Sequence, residues 1–189
     1  HDTMGDVEPK IDDKNFLVKF KFGEFIFPVT TLRPETIFGV TNLWVNPNVI
    51  YKKVTVDNET WIVSEQCARK IAFFEKEVKI IGDIAGSEII GKSAIAPNSG
   101  NEIPILSAEF VEPGMGTGLV MSVPAHAPKD YQALMDLKAS NHELASKIEP
   151  IPIIVTPGYD EYPAKQICEK LGVSDQSDDK LEEATKELY

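Results

Sequence analysis

The strongest constraint on this chain is its punctuation. Its apolar runs are short, each is closed within a few residues by glycine, proline or asparagine, and none continues into a long apolar stretch. Runs of that kind build single strands and brief helices, so the core must be assembled from many small pieces. The clearest run has Phe16, Val18, Phe20 and Phe22 alternating with Leu17, Lys19 and Lys21, the period of two that belongs to a half-buried strand. Gly23-Glu24 then supplies a Gly-X hairpin turn into a second strand ending at Thr30 and Thr31. Further strands are expected over residues 43–45, 53–56, 61–63, 78–81, 103–106, 119–123 and 151–155, with Gly82, Gly86, Gly91 and Pro97 as interruptions. Helices are fewer. Ser64 caps one running through Phe74, residues 130–138 form another, a third starts at Pro163 and is closed by Gly172, and Ser177 caps residues 178–189. Strict βαβ alternation is missing. The expectation is therefore a mainly β fold with peripheral helices (α+β), a curled sheet or β-barrel.

Length and charge narrow the function. The 189 residues, 42% of them hydrophobic, suit one core. Nineteen basic residues against thirty acidic ones give a net charge of −11, which argues against a free-standing nucleic-acid binder working through a basic surface. A small pocket can still hold an RNA end delivered by another body. No apolar run approaches the ~20 residues of a membrane span, and the N-terminus lacks a signal-peptide core, so a cytoplasmic protein without a membrane partner is expected. Residues 1–15 are polar and acidic and read as a linker or boundary, leaving 16–189 as the domain. Cys67 and Cys168 stand in unrelated contexts and read as small buried hydrophobes, with neither a disulfide framework nor a metal site.

Three segments carry side chains suited to chemistry. In EPGMGTG the alternating Gly114, Gly116 and Gly118 lack dinucleotide-binding spacing; they form either a turn before a strand or bare backbone that a ligand approaches closely. In PVTTLRPETIFGVTN, Thr30 and Thr31 end a strand, Pro34 suits a first helical turn, and Thr36 follows within it. These threonines are either ordinary strand and surface residues or hydroxyls that bind an ester carbonyl or order a water. A threonine methyl, fixed by stiff χ1, also serves as a steric gauge. In MSVPAHAPKDYQAL, Asp130 falls in the first turn of a helix after Pro128. There it either complements the helix dipole or pairs with a ligand cation such as an α-ammonium. His126 lies four residues before Asp130, but the bend at Pro128 breaks any shared helical face, so the two make no metal pair. His126 reads as a packed or hydrogen-bonded loop histidine ahead of a general base.

Taken together, TTLRPETIFGVTN and GTGLVMSVPAHAPKDY resemble the editing domain inserted in the class I aminoacyl-tRNA synthetases for leucine, isoleucine and valine. The extra Leu32 before Arg33-Pro34, and Ala127-Pro128-Lys129 before Asp130, are similar to leucyl-tRNA synthetase of the archaeal and eukaryotic type. The resemblance covers residues 16–189 and implies the curled sheet or barrel of that editing domain, with its C-terminal part truncated. It implies hydrolysis of the ester joining norvaline, isoleucine or methionine to the terminal adenosine of tRNA(Leu), a second sieve where one hydrophobic pocket cannot discriminate enough. The partners it implies are the tRNA(Leu) 3′ end, within the full synthetase, and a noncognate aminoacyl-adenosine, with the protein a monomer. It assigns Thr30, Thr31 and Asp130 to catalysis, Asp130 also to the substrate ammonium, and Thr36 to exclusion of leucine. Leu32, Arg33, Gly116, Thr117, Gly118, Met121, Val123 and His126 complete the substrate site. No cofactor is implied for editing. ATP and magnesium belong to a synthetic domain whose HIGH and KMSKS signatures are missing here. The rival readings are an isoleucyl- or valyl-type editing domain and a non-catalytic RNA-end binding or spacer module.

Overall fold

The alternating run at the start of the domain folds as its period requires. Strand β1 (Phe16–Phe22) pairs antiparallel with β2 (Phe25–Thr31), Phe22 opposite Phe25, and Gly23 takes the positive φ of +58° that a two-residue Gly-X turn needs. The computed structural model describes residues 15–74 and 77–189, so the boundary segment expected over 1–15 lies, apart from Asn15, outside the described residues.

Seven further strands follow: β3 (Asn42–Val45), β4 (Ile50–Val56), β5 (Glu59–Val63), β6 (Lys79–Ala85), β7 (Ser93–Ile95), β8 (Glu102–Ser107) and β9 (Val120–Ser122). They form one mixed sheet in the order β6-β4-β5-β2-β1-β7-β8-β3-β9, with β2–β5 and β3–β8 parallel. The sheet curls until its edge strand β9 approaches β2 near the middle of the order. It remains open, because β6 and β9 are not paired to one another. The curled-sheet expectation therefore holds, and the closed-barrel form of it does not.

The β3 strand shows how the core is split. All four of its residues are buried, and successive side chains face opposite sides. Leu43 and Val45 join Phe20, Phe27, Ile62 and Ile105 inside the curl, whereas Trp44 joins Leu106, Ala133 and Leu134 under the helices. The helices are α1 (Glu65–Phe74), α2 (Gly86–Ile89), α3 (Pro128–Ala139), α4 (Glu143–Ser146), α5 (Pro163–Leu171) and α6 (Lys180–Leu188), with a 3-10 turn at Pro34–Gly39. The expected caps are visible: Ser64 Oγ accepts from the Cys67 N–H at 3.1 Å, and Gly172 closes α5 with φ +66°. A third packing centre joins α3, α5 and α6 through Tyr131, Ala164, Cys168 and Leu181. Cys67 and Cys168 are both free and buried, and burial pushes each thiol up to about 11.

Two expectations are corrected. Residues 151–155 form no strand; the N–H groups of Ile153 and Ile154 donate to His126 Nε2 instead of to a neighbouring strand. The last helix begins at Lys180 and is not capped by Ser177. Its N-cap position is Asp179; the Asp178 carboxylate before it accepts from the Lys180 and Ser174 N–H groups, while Ser177 Oγ donates to Asp175.

Candidate functional site

A cavity of about 510 Å³ opens where β2, β9 and the start of α3 converge. Strand β2 and the residues after it contribute Thr30, Thr31, Leu32 and Arg33, and the 3-10 turn contributes Thr36. Met121 comes from β9, Val123 and His126 from the turn beyond it, and Asp130 from the first turn of α3. Residues far apart in the chain thus meet because the sheet curls β9 toward β2.

Asp130 is almost fully buried. Its Oδ1 accepts from Trp44 Nε1 at 3.0 Å and its Oδ2 from the Val123 N–H at 2.9 Å. Burial raises its pKa to about 7, an effect that these two donors oppose and only partly offset. The carboxylate is therefore aimed back across the strand ends rather than spent on capping its own helix. A site of this kind gains most from a ligand cation, which restores the charged form.

Thr36 is also buried, and its hydroxyl donates to the Arg33 carbonyl at 2.6 Å. That bond fixes χ1 and with it the position of the methyl. Thr31 Oγ1 accepts from the Arg33 N–H at 3.1 Å, leaving its own proton for another acceptor. The Arg33 guanidinium lies 5.6 Å from the ring centroid of Tyr189 and bonds Glu35 through Nε.

His126 is a buried loop histidine. Its Nε2 accepts from Ile153 and Ile154 at 3.0 and 3.2 Å, so the ring proton resides on Nδ1 and Nε2 is occupied. Burial, with the Arg33 charge adding to it, holds the imidazole below its usual pKa. A base needs a free lone pair toward a water, and this ring has none to offer. His126 instead ties the segment around residues 153 and 154 to the back of the site.

Not all the expected residues share this cavity. Gly116 and Thr117 line a neighbouring groove, joined to the cavity through Thr30. A Cβ on Gly116 lies 2.4 Å from Thr30 Oγ1, so only glycine permits that approach. Gly118 lines neither; it packs on Ser64, and its carbonyl accepts from Tyr51 Oη. Val29, Val120 and Ala127 also line the cavity beside expected residues, and three contributors lie further from the expected motifs. Thr185 and Tyr189 wall the cavity from α6 and its C-terminal end, and Trp44 holds Asp130. A buried tryptophan needs an acceptor for its N–H, the one signal that pointed toward Trp44.

By sequence and by fold the chain is similar to the editing domains of aminoacyl-tRNA synthetases. The family model described as "Leucyl-tRNA synthetase, editing domain" matches residues 15–144. The chain is 50% identical over 195 residues to leucine–tRNA ligase of Methanothrix thermoacetophila, all of this chain and 20% of that protein. It is 46% identical over 188 residues to leucine–tRNA ligase of Methanocaldococcus jannaschii, 92% of this chain and 19% of that protein. Among solved structures, GlLeuRS-CP1 superposes with a TM-score of 0.76 at 26% identity, covering 92% of this chain and 82% of that one. The P. knowlesi cytosolic leucyl-tRNA synthetase editing domain shares the fold, with a TM-score of 0.79 at 20% identity over 92% of this chain and 82% of that one. The chain belongs to the leucyl-tRNA synthetase editing-domain family. It spans about a fifth of the length of these ligases. Membership in that family sets aside the isoleucyl- and valyl-type alternative.

Proposed function

We propose that this domain hydrolyses the ester between a noncognate amino acid, such as norvaline, isoleucine or methionine, and the terminal adenosine of tRNA(Leu). The observation that carries the reading is that Asp130 and Thr36 line the same cavity, with Met121 and Val123 beside them. Asp130 takes the α-ammonium that every amino acid carries. Thr36 limits the space left for the side chain, and its methyl meets the branched γ-carbon of leucine. A side chain that is not branched at the γ-carbon passes.

Chemistry in this reading is positional. An aminoacyl ester is already activated, so a held water and a stabilised oxyanion lower the barrier enough. Water adds to the carbonyl, and the adenosine hydroxyl leaves with the proton. Thr31, with its proton free, and Thr30 at the rim orient carbonyl and water. No cofactor enters this scheme, and the tRNA is delivered by the remainder of the synthetase.

The test is deacylation of separately charged tRNA(Leu) by the full-length synthetase carrying this domain. Thr36→Ala is expected to speed hydrolysis of correctly charged leucyl-tRNA roughly 10–200-fold, the discrimination one methyl supplies. Asp130→Ala is expected to lower kcat/KM for every amino acid by roughly 30-fold or more. A Thr36→Ala enzyme that still spares leucyl-tRNA contradicts the gauge. Binding of the RNA end without hydrolysis favours the spacer reading.

A further inference from the structure

Beside the cavity, on the far side of Thr30, a groove of about 580 Å³ runs between the face of β1, β2 and β5 and helix α1. Its walls include the half-buried indole of Trp61 and the exposed ring of Phe74. The indole is held in place: Trp61 Nε1 donates to Glu59 Oε1 at 3.0 Å. Lys19 Nζ donates to the same oxygen at 2.8 Å and lies 5.7 Å from the indole centroid. That triad neutralises itself. Lys70, exposed on α1, has no acidic partner among the described residues, and Asp57 is the other acid of the lining. Thr117 also lines the groove, and its buried hydroxyl lacks a hydrogen-bond partner among the described residues.

We propose that this groove is a second RNA subsite, taking the nucleotide that precedes the esterified adenosine. The inference rests on the editing reading for its substrate and adds a site to it. A nearly neutral groove with an aromatic wall suits a nucleobase better than a run of phosphates, since every base has a π face to lay on the ring. Lys70 meets the single phosphate that links the two nucleotides. Thr30 lines both the cavity and the groove, and Gly116 packs directly against its hydroxyl, so the two residues form the shared wall over which the linked nucleotides are read. Stacking of bases on protein aromatics is a common element of single-stranded RNA recognition.

The experiment uses the full-length synthetase and compares two substrates, norvalyl-adenosine and the norvalyl ester of cytidylyl-adenosine. Equilibrium binding of unesterified adenosine and cytidylyl-adenosine is measured in parallel. Trp61→Ala is expected to raise KM for the dinucleotide ester about tenfold, with kcat and the nucleoside ester unchanged. Lys70→Ala, on an exposed helix face, raises the same KM to a smaller extent, and Trp61→Phe restores most of the loss. Cytidylyl-adenosine binds the unmodified protein more tightly than adenosine does, and Trp61→Ala removes that gain. Equal KM effects on both esters, or equal binding of adenosine and cytidylyl-adenosine, overturn the subsite. An unmodified enzyme that hydrolyses neither ester overturns the editing reading instead, and the binding comparison still decides the groove.

Discussion

Asp130 is the residue whose energetics bear most directly on the proposed function. In the folded chain its pKa is raised from the ordinary carboxylate value near 4 to about 7, chiefly by burial. A group raised on folding binds its proton more tightly in the native state. Its contribution to stability is present in full below pH ~4 and is lost as pH rises through about 7, on the order of 4 kcal/mol across the window. The chain therefore carries a charge at neutral pH that its own fold disfavours, and an α-ammonium in the cavity relieves that cost. The same sign governs activity. Below pH 7 the neutral carboxyl cannot pair with an ammonium, and above it the carboxylate can. We expect kcat/KM for a noncognate aminoacyl ester to rise through an apparent pKa near 7 and to fall again as the substrate amine deprotonates near its ordinary value of about 8. Asp130→Ala should flatten the acidic limb at a lower level. A profile of the unmodified enzyme that stays level between pH 5 and 7 contradicts the assignment.

At the scale of elements, one glycine fixes how the edge of the sheet turns. Gly86 begins α2 directly after β6, with its N–H donating to the Val49 carbonyl at 2.8 Å. A Cβ there lies 2.0 Å from the Asn46 carbonyl oxygen, a backbone atom that cannot swing aside. Gly86→Ala is thus expected to cost about 2–3 kcal/mol through overpacking, lowering Tm by roughly 4–12 °C. Calorimetry of the variant checks it, and an unchanged Tm refutes the contact. The elements also show what a sequence can reveal. The β1–β2 hairpin, the Ser64 cap and the Gly172 stop were legible because each depends on residues close in the chain. Residues 151–155 carry a strand's apolar pattern, but a strand needs a partner ladder, and here their N–H groups go to His126. Gly82 read as an interruption, yet β6 continues past it. The register with β4 slips between Lys53 and Val54, a bulge that no local pattern announces. The site divides in the same way. Thr36 and Asp130 stand in recognisable motifs, whereas Tyr189 reaches the cavity, and Trp44 the Asp130 carboxylate behind it, only through the packing of α6 and β3.

For the whole molecule, charge sets the terms on which RNA is met. With a net charge of −11 the surface repels a phosphate backbone, and in the reading proposed above RNA is met only at the cavity and the groove beside it. Two linked nucleotides bring at most two phosphates to the domain, one of them to Lys70 in the subsite proposed above. Each neutralised phosphate on a single strand contributes about −0.7 to the slope of log K against log salt. The domain by itself is therefore expected to bind a single-stranded RNA end weakly, with a slope no steeper than about −1.4. Its deacylation of mischarged tRNA(Leu) should be slow or undetectable, while the full-length synthetase, roughly five times as long, supplies the steep electrostatic component. Titrations of both proteins from about 50 to 200 mM salt measure the difference. A slope of the domain alone as steep as that of the full enzyme contradicts the division of labour. It means instead that this acidic chain gathers its scattered cations into an RNA track of its own. On the expected outcome, selectivity resides in a cavity that reads the amino acid, and affinity resides elsewhere in the protein, so that mutations in the cavity change which ester is cut without changing how tightly the tRNA is held.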